Sequence, residues 1–205
     1  MTKLINKKMI LIASAVLLVA VTVSVTLAVV FTKTEPVENV FDPSKVACAV
    51  VENGGEPISG SLVNTGNSKD NVKIQNTGNT DAYIRVAVVV NWMSEDGTRV
   101  WAQKPVLDTD YTITYNLSDD GWFYGDDGYY YYRKSVSHKS PDNLTDVLIT
   151  KAALIDGVTA PEGADGIQYY FSVEIVATAI QSAPSATVES SWGVEVDTDG
   201  NIVKN

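Results

Sequence analysis

A chain of 205 residues with 15 basic and 25 acidic side chains has a formal net charge of −10, which argues against nucleic acid or anionic lipid as a partner. One histidine and one cysteine leave no ligand set for a zinc site of the usual kind and no internal disulfide. A length of about 175 residues beyond the leader is enough for one domain with a substantial core.

The chain opens on Lys3, Lys7 and Lys8, followed by an uncharged apolar run from Met9 to Phe31. A basic segment, an apolar segment and a small-residue site in that order predict a secretory signal peptide over 1–28, cleaved after Ala28 with Thr26 at the −3 position. The alternative is an uncleaved anchor over 9–31. That run is long enough to span a bilayer, and the lysines would hold its start in the cytoplasm. Either way, the rest of the chain is expected outside the cell. Removing three lysines and no acid leaves 12 basic residues against 25 acidic ones, a solvated acidic exterior. Export without disulfides fits a Gram-positive-type surface.

Residues 29–45, with Pro36 and Pro43, read as an extended arm or linker, and the domain proper is expected over 46–205. A first strand is predicted at 46–52. Its six consecutive apolar residues, Val46 to Val51, suit pairing with a sheet edge, either its own or a neighbour's. Asn53-Gly54-Gly55 is a turn, and a short strand follows at 72–76. Asn-Thr-Gly-Asn occurs at 64–67 and 76–79, but the period is not sustained, so no repeat architecture is expected. Ala82, Ile84, Val86, Val88, Val90 and Trp92 fall on one face of the clearest strand, and Tyr83, Arg85, Ala87, Val89 and Asn91 on the other. Asp96-Gly97 turns into an expected short strand at 99–102.

Alternation continues from Tyr111 to Leu117. Trp122–Tyr124 and Tyr129–Arg133 then form a predicted hairpin around Gly125-Asp126-Asp127-Gly128. Further strands are expected at 147–154 and 169–179. Pro184 can start a short helix that buries Val188 and Trp192 and ends at Gly193, and Val194 and Val196 enter a last hairpin around Asp199-Gly200. About nine or ten strands with one or two short helices predict an all-β fold. The form expected is an antiparallel β-sandwich of jelly-roll or immunoglobulin-like type, preceded by the N-terminal signal or transmembrane helix.

Catalytic motifs are sparse. His138 lies in a polar loop beside Lys139 and Pro141, and neither H-E-x-x-H nor G-x-S-x-G is present. Cys48, among Val46, Ala47, Ala49 and Val50, is in an apolar setting that raises a thiol pKa, and Lys45 rules out a lipoprotein anchor there. Asp119-Asp120, Asp126-Asp127 and Asp197 with Asp199 invite a calcium reading, but hairpin turns favour Asp and Gly for backbone reasons alone. No catalytic, cofactor-binding or metal residue is therefore assigned, no cofactor is expected, and the chain is expected to be no enzyme. The aromatic residues Trp122, Phe123, Tyr124 and Tyr129 to Tyr132 must place rings on both faces of a sheet. One face is core. The other is either covered or an exposed platform for carbohydrate or a neighbouring subunit.

The leader, from Lys7-Lys8 through Ile12-Ala13-Ser14-Ala15-Val16-Leu17-Leu18 to Thr26-Leu27-Ala28, resembles those cut by the SipW-type signal peptidase. The stretch from Val72 to Val86, through Asn76-Thr77-Gly78-Asn79-Thr80-Asp81, is similar to the first sheet of the TasA/camelysin group of Gram-positive exported proteins. Asp120-Gly121-Trp122-Phe123, Gly128-Tyr129-Tyr130-Tyr131-Tyr132 and Glu189-Ser190-Ser191-Trp192-Gly193 resemble clostridial-type members. The resemblance implies export, a jelly-roll fold and, for TasA-like members, assembly into extracellular-matrix fibres in which an N-terminal strand completes the next subunit's sheet. For camelysin it also implies protease activity, though no residue here matches a catalytic one. The final Ile202-Val203-Lys204-Asn205 carries no sorting motif, so sortase anchoring is not expected.

Overall fold

The structure, a computed structural model, describes residues 44–52, 62–63 and 68–204, which belong to a single compact unit. The leader, the arm up to residue 43, and the Asn53-Gly54-Gly55 and 64–67 turns lie outside the described residues. Among those described, no helix is long and apolar enough to cross a membrane.

Alternating β-branched residues from 82 onward form a strand of thirteen residues, β4 (Ala82–Ser94). The strands before it are β1 (Cys48–Val51), β2 (Leu62–Val63) and β3 (Ser68–Asn76). After it come β5 (Tyr111–Tyr115), β6 (Trp122–Tyr124), β7 (Tyr130–Tyr132), β8 (Ile149–Leu154) and β9 (Tyr169–Gln181). Helix α1 (Ser185–Trp192) and the hairpin β10 (Glu195–Val196) and β11 (Ile202–Val203) close the chain. All named strand pairs are antiparallel. One sheet runs β1-β3-β8-β5, the other β2-β9-β4-β7-β6. The longest pairing joins β4 to β9, from Ala82↔Gln181 to Ser94↔Tyr169.

The main core gathers side chains from both sheets: Val72, Ile74, Leu148, Ile149 and Ala152 meet Ile84, Val86, Trp92, Phe171 and Val173. Burying one such large apolar side chain contributes about 1.5–3 kcal/mol. The face of β4 expected to be apolar is the one that packs here, and its alternate face carries Tyr83 into a second cluster with Phe123, Tyr131, Val188 and Ile202. That cluster lies where α1 and the β10–β11 hairpin cover the five-stranded sheet. Tyr83 donates a 2.8 Å hydrogen bond to the Gly200 carbonyl, and Ile202 N–H donates to the Arg133 carbonyl at 2.8 Å.

The helix follows its local signals. Pro184 is the N-cap, Val188 is fully buried, and Gly193 at φ 67° turns the chain out of the helix. One local expectation changes. Residues 99–102 form no strand; only Val100 bridges Met93, because the turn spends its polar groups locally. Asp96 accepts from Ser94, and Ser94 Oγ accepts from Arg99 N–H at 3.0 Å. The pairing of β2 with β9 at Leu62↔Ser172 and Val63↔Phe171 has no signal in the sequence, since two residues carry no readable period.

Candidate functional site

Among the described residues, the feature best suited to recognition is the side of the two-sheet assembly where the edge strands β1 and β9 come near one another. β9 is paired with β4 along its whole length, whereas on its other side β2 reaches it only at Phe171 and Ser172. Among the described residues, no strand covers the outer edge of β9 from 173 to 181. β1 is also an edge: it pairs with β3 through Cys48↔Asn76 to Val51↔Lys73, and no described strand pairs with its far side.

Between these edges the described residues leave the core incompletely covered. Ile84, Val86, Trp92, Phe171 and Val173 are buried, but Val88 and Val90 of β4 and Ile175, Ala177 and Ala179 of β9 are only half-buried. Cys48 and Val50 of β1 join this row and are half-buried too. On the opposite face of β9, Val176 is 43% exposed beside the exposed Glu174 and Thr178. An extended segment laid along this side would find main-chain donors and acceptors on an edge strand and an apolar row for alternate side chains.

The segment leading into this edge is held in place by the 76–79 turn. Thr77 N–H donates to the Ala47 carbonyl at 2.9 Å and Asn79 N–H to the Lys45 carbonyl at 3.0 Å. The Asn79 side chain accepts from Lys45 N–H at 2.6 Å. The close approach requires glycine at 78, where a Cβ would collide with the Lys45 carbonyl oxygen. The apolar segment 46–51 thus contributes the first strand of its own sheet.

The sequence-level candidates are dispersed. Cys48 is a free, half-buried thiol, and burial pushes it up. His138 is occupied by Asp81, whose Oδ1 meets His138 Nδ1 at 2.7 Å and accepts from its backbone N–H at 3.0 Å. Those bonds hold the Asp81 carboxyl below its ordinary range. Asp127 accepts from Tyr131 Oη at 2.6 Å, and Asp197 accepts from the N–H groups of Asp199 and Asn201 at 2.9 and 2.8 Å, so both serve their turns. No group of three or more His, Cys, Asp or Glu side chains is placed to hold a metal ion among the described residues.

The aromatic cluster is covered on both faces. Trp122, Tyr130 and Tyr132 pack on the main core, and Phe123, Tyr129 and Tyr131 lie under the C-terminal cap. The Arg85 guanidinium sits 4.2 Å from the Tyr129 ring centroid and 4.7 Å from that of Trp192, and Arg133 stacks on Phe123 at 4.5 Å. A cleft at the rim, lined by Phe123, Asp127, Tyr131, Trp192 and Lys204, has a volume of 160 Å³. That is below the roughly 300 Å³ at which small-molecule pockets begin. Tyr124, 47% exposed, is the one ring of the cluster that is largely open.

Comparison with known proteins finds no matching family model, no matching curated protein and no matching solved structure.

Proposed function

We propose that this chain is an exported, non-enzymatic surface or extracellular-matrix subunit that self-associates by strand addition. The all-β unit is read as an antiparallel β-sandwich of jelly-roll or immunoglobulin-like type. One observation carries the functional reading: a half-buried apolar row, Cys48, Val50, Ile175, Ala177 and Ala179, lies between two strand edges that no described strand pairs. An exposed edge next to uncovered apolar surface invites pairing with another chain. The arm expected over 29–45 precedes β1 and carries Pro36 and Pro43, the composition of a linker. A neighbour's arm lying on the row gains ladder hydrogen bonds and buries its alternate side chains. The resemblance of the leader and of 72–86 to the TasA/camelysin group supports the same reading. It makes a SipW-type signal peptidase the processing partner and the outer face of a Gram-positive-type bacterium the location, with membrane association if residues 9–31 are retained.

The test compares protein beginning at residue 29 with protein beginning at Ser44, which keeps β1 and all of its pairing. The longer form is expected to make filaments in electron micrographs, and the shorter form to stay folded and monomeric. Peptide 29–45, added to the longer form, should shorten the filaments by occupying the row. Filaments from the shorter form, or a longer form that stays monomeric at millimolar concentration, would refute strand addition by the arm.

A further inference from the structure

Glu52 directly follows β1, and Lys69 is the second residue of β3. Lys69 is opposite Ala152 in the β3–β8 ladder. Cross-strand partners share a face, and Ala152 is fully buried in the main core, so the lysine stem points into the space between the sheets. There Lys69 Nζ meets Glu52 Oε1 directly, with side chains 5% and 8% exposed. Each of the other ion pairs among the described residues includes a partner at least 44% exposed. No other hydrogen-bond partner of Lys69 Nζ is found among those residues.

Holding two full charges there costs several kcal/mol per ion unless further hydrogen bonds compensate. An amine and a carboxyl group held in contact, with water excluded, is an arrangement that gives intramolecular reactions very high effective molarities. We propose that Lys69 and Glu52 condense to an intramolecular amide, joining Nζ to Cδ and linking β1 covalently to β3.

The step balances without an oxidant, reductant or cofactor. The ammonium gives one proton to the carboxylate. The amine lone pair attacks Cδ, forming the C–N bond as the carbonyl electrons move onto oxygen. Nζ then loses its second proton to the hydroxyl group, which leaves as water when the carbonyl re-forms. Ammonium plus carboxylate thus become one amide plus one water, and a neutral link replaces two buried charges. In a chain with a single cysteine, this link closes the segment between Glu52 and Lys69 as a disulfide would in other exported proteins. It also keeps β1 in its own sheet, so that strand addition, if it occurs, must use the residues before β1. The link itself does not depend on the assembly reading.

The experiment is intact mass spectrometry of the folded protein, read against the mass of its sequence from the observed N-terminus. The wild type is expected to be lighter by one water. Lys69→Arg and Glu52→Ala are each expected to restore the full mass. Proteolysis of the wild type should yield a branched peptide joining the Glu52 and Lys69 segments, with no tryptic cleavage after Lys69. Two outcomes overturn the proposal: a folded wild type at full sequence mass, which means an ion pair only, and a water loss that maps elsewhere, such as to one of the Asp-Gly turns. Filament assembly is scored separately, so failure of one proposal leaves the other readable.

Discussion

Replacing Arg85 by Met tests how the C-terminal cap is held, and the magnitudes decide which measurement is informative. The guanidinium lies between Tyr129 and Trp192, at 4.2 and 4.7 Å from their ring centroids, with the side chain 19% exposed. A cation–π contact is worth about 0.5–1 kcal/mol at an exposed site and about 2 when desolvated, so the two faces together contribute about 2 kcal/mol here. The long 3.4 Å hydrogen bond to Tyr131 and the 4.0 Å approach to a largely exposed Asp127 add little. Against this, Arg85 Nε is buried without a hydrogen-bond partner among the described residues, which costs about 1–3 kcal/mol and is relieved in the Met variant. The single substitution is therefore expected to change stability by less than about 1.5 kcal/mol, because the two effects oppose each other. The informative quantity is the coupling between Arg85→Met and Trp192→Leu in a double-mutant cycle. The orphaned Nε affects both arms equally, as does the loss of the 5.9 Å Tyr131–Trp192 edge contact. Urea unfolding of the four proteins should give a coupling of about 1 kcal/mol. A coupling within about 0.3 kcal/mol of zero, the ordinary scatter of additivity, refutes a cation–π role for this pair.

Two further outcomes follow from the turns. Gly78→Ala puts a methyl group against the Lys45 carbonyl oxygen and 3.1 Å from Ala47 N, and so should cost about 1–3 kcal/mol and speed hydrogen exchange at the Thr77 and Asn79 amides. Unchanged exchange at both amides would mean that β1 does not depend on this turn. Asp96 accepts hydrogen bonds from Ser94 Oγ and from Thr98 N–H and Oγ1, which hold its carboxyl at about 2. A carboxyl depressed in the folded state contributes stability that is present above its unfolded value of about 3.9 and lost as pH falls through the folded value. Asp96→Asn should therefore flatten the decline of the urea midpoint between about pH 4 and about 2, and parallel declines in both proteins would exclude this turn as a source of the acid sensitivity.

Much of the local architecture could be read before any fold was known, because its causes are local. The period of two over 82–92 separates Ile84 and Val86 from Tyr83 and Arg85, and those sets enter different clusters. Gly128 at φ 87° and Gly193 at φ 67° end their elements where turn and cap chemistry require. Alternation says that a strand has two faces but not what covers them. Rings on both sides of β7 could be foreseen, but the cover over Phe123 and Tyr131 comes from α1 and the β10–β11 hairpin, far along the chain. The same segment 46–51 suits either its own sheet or a neighbour's, and the turn at 76–79 brings it to β3. Neither the half-buried row of β4 and β9 nor the meeting of Glu52 with Lys69 has a signal in composition or spacing. Both arise from which strands become neighbours, and that choice is made by burial summed over residues distant in sequence.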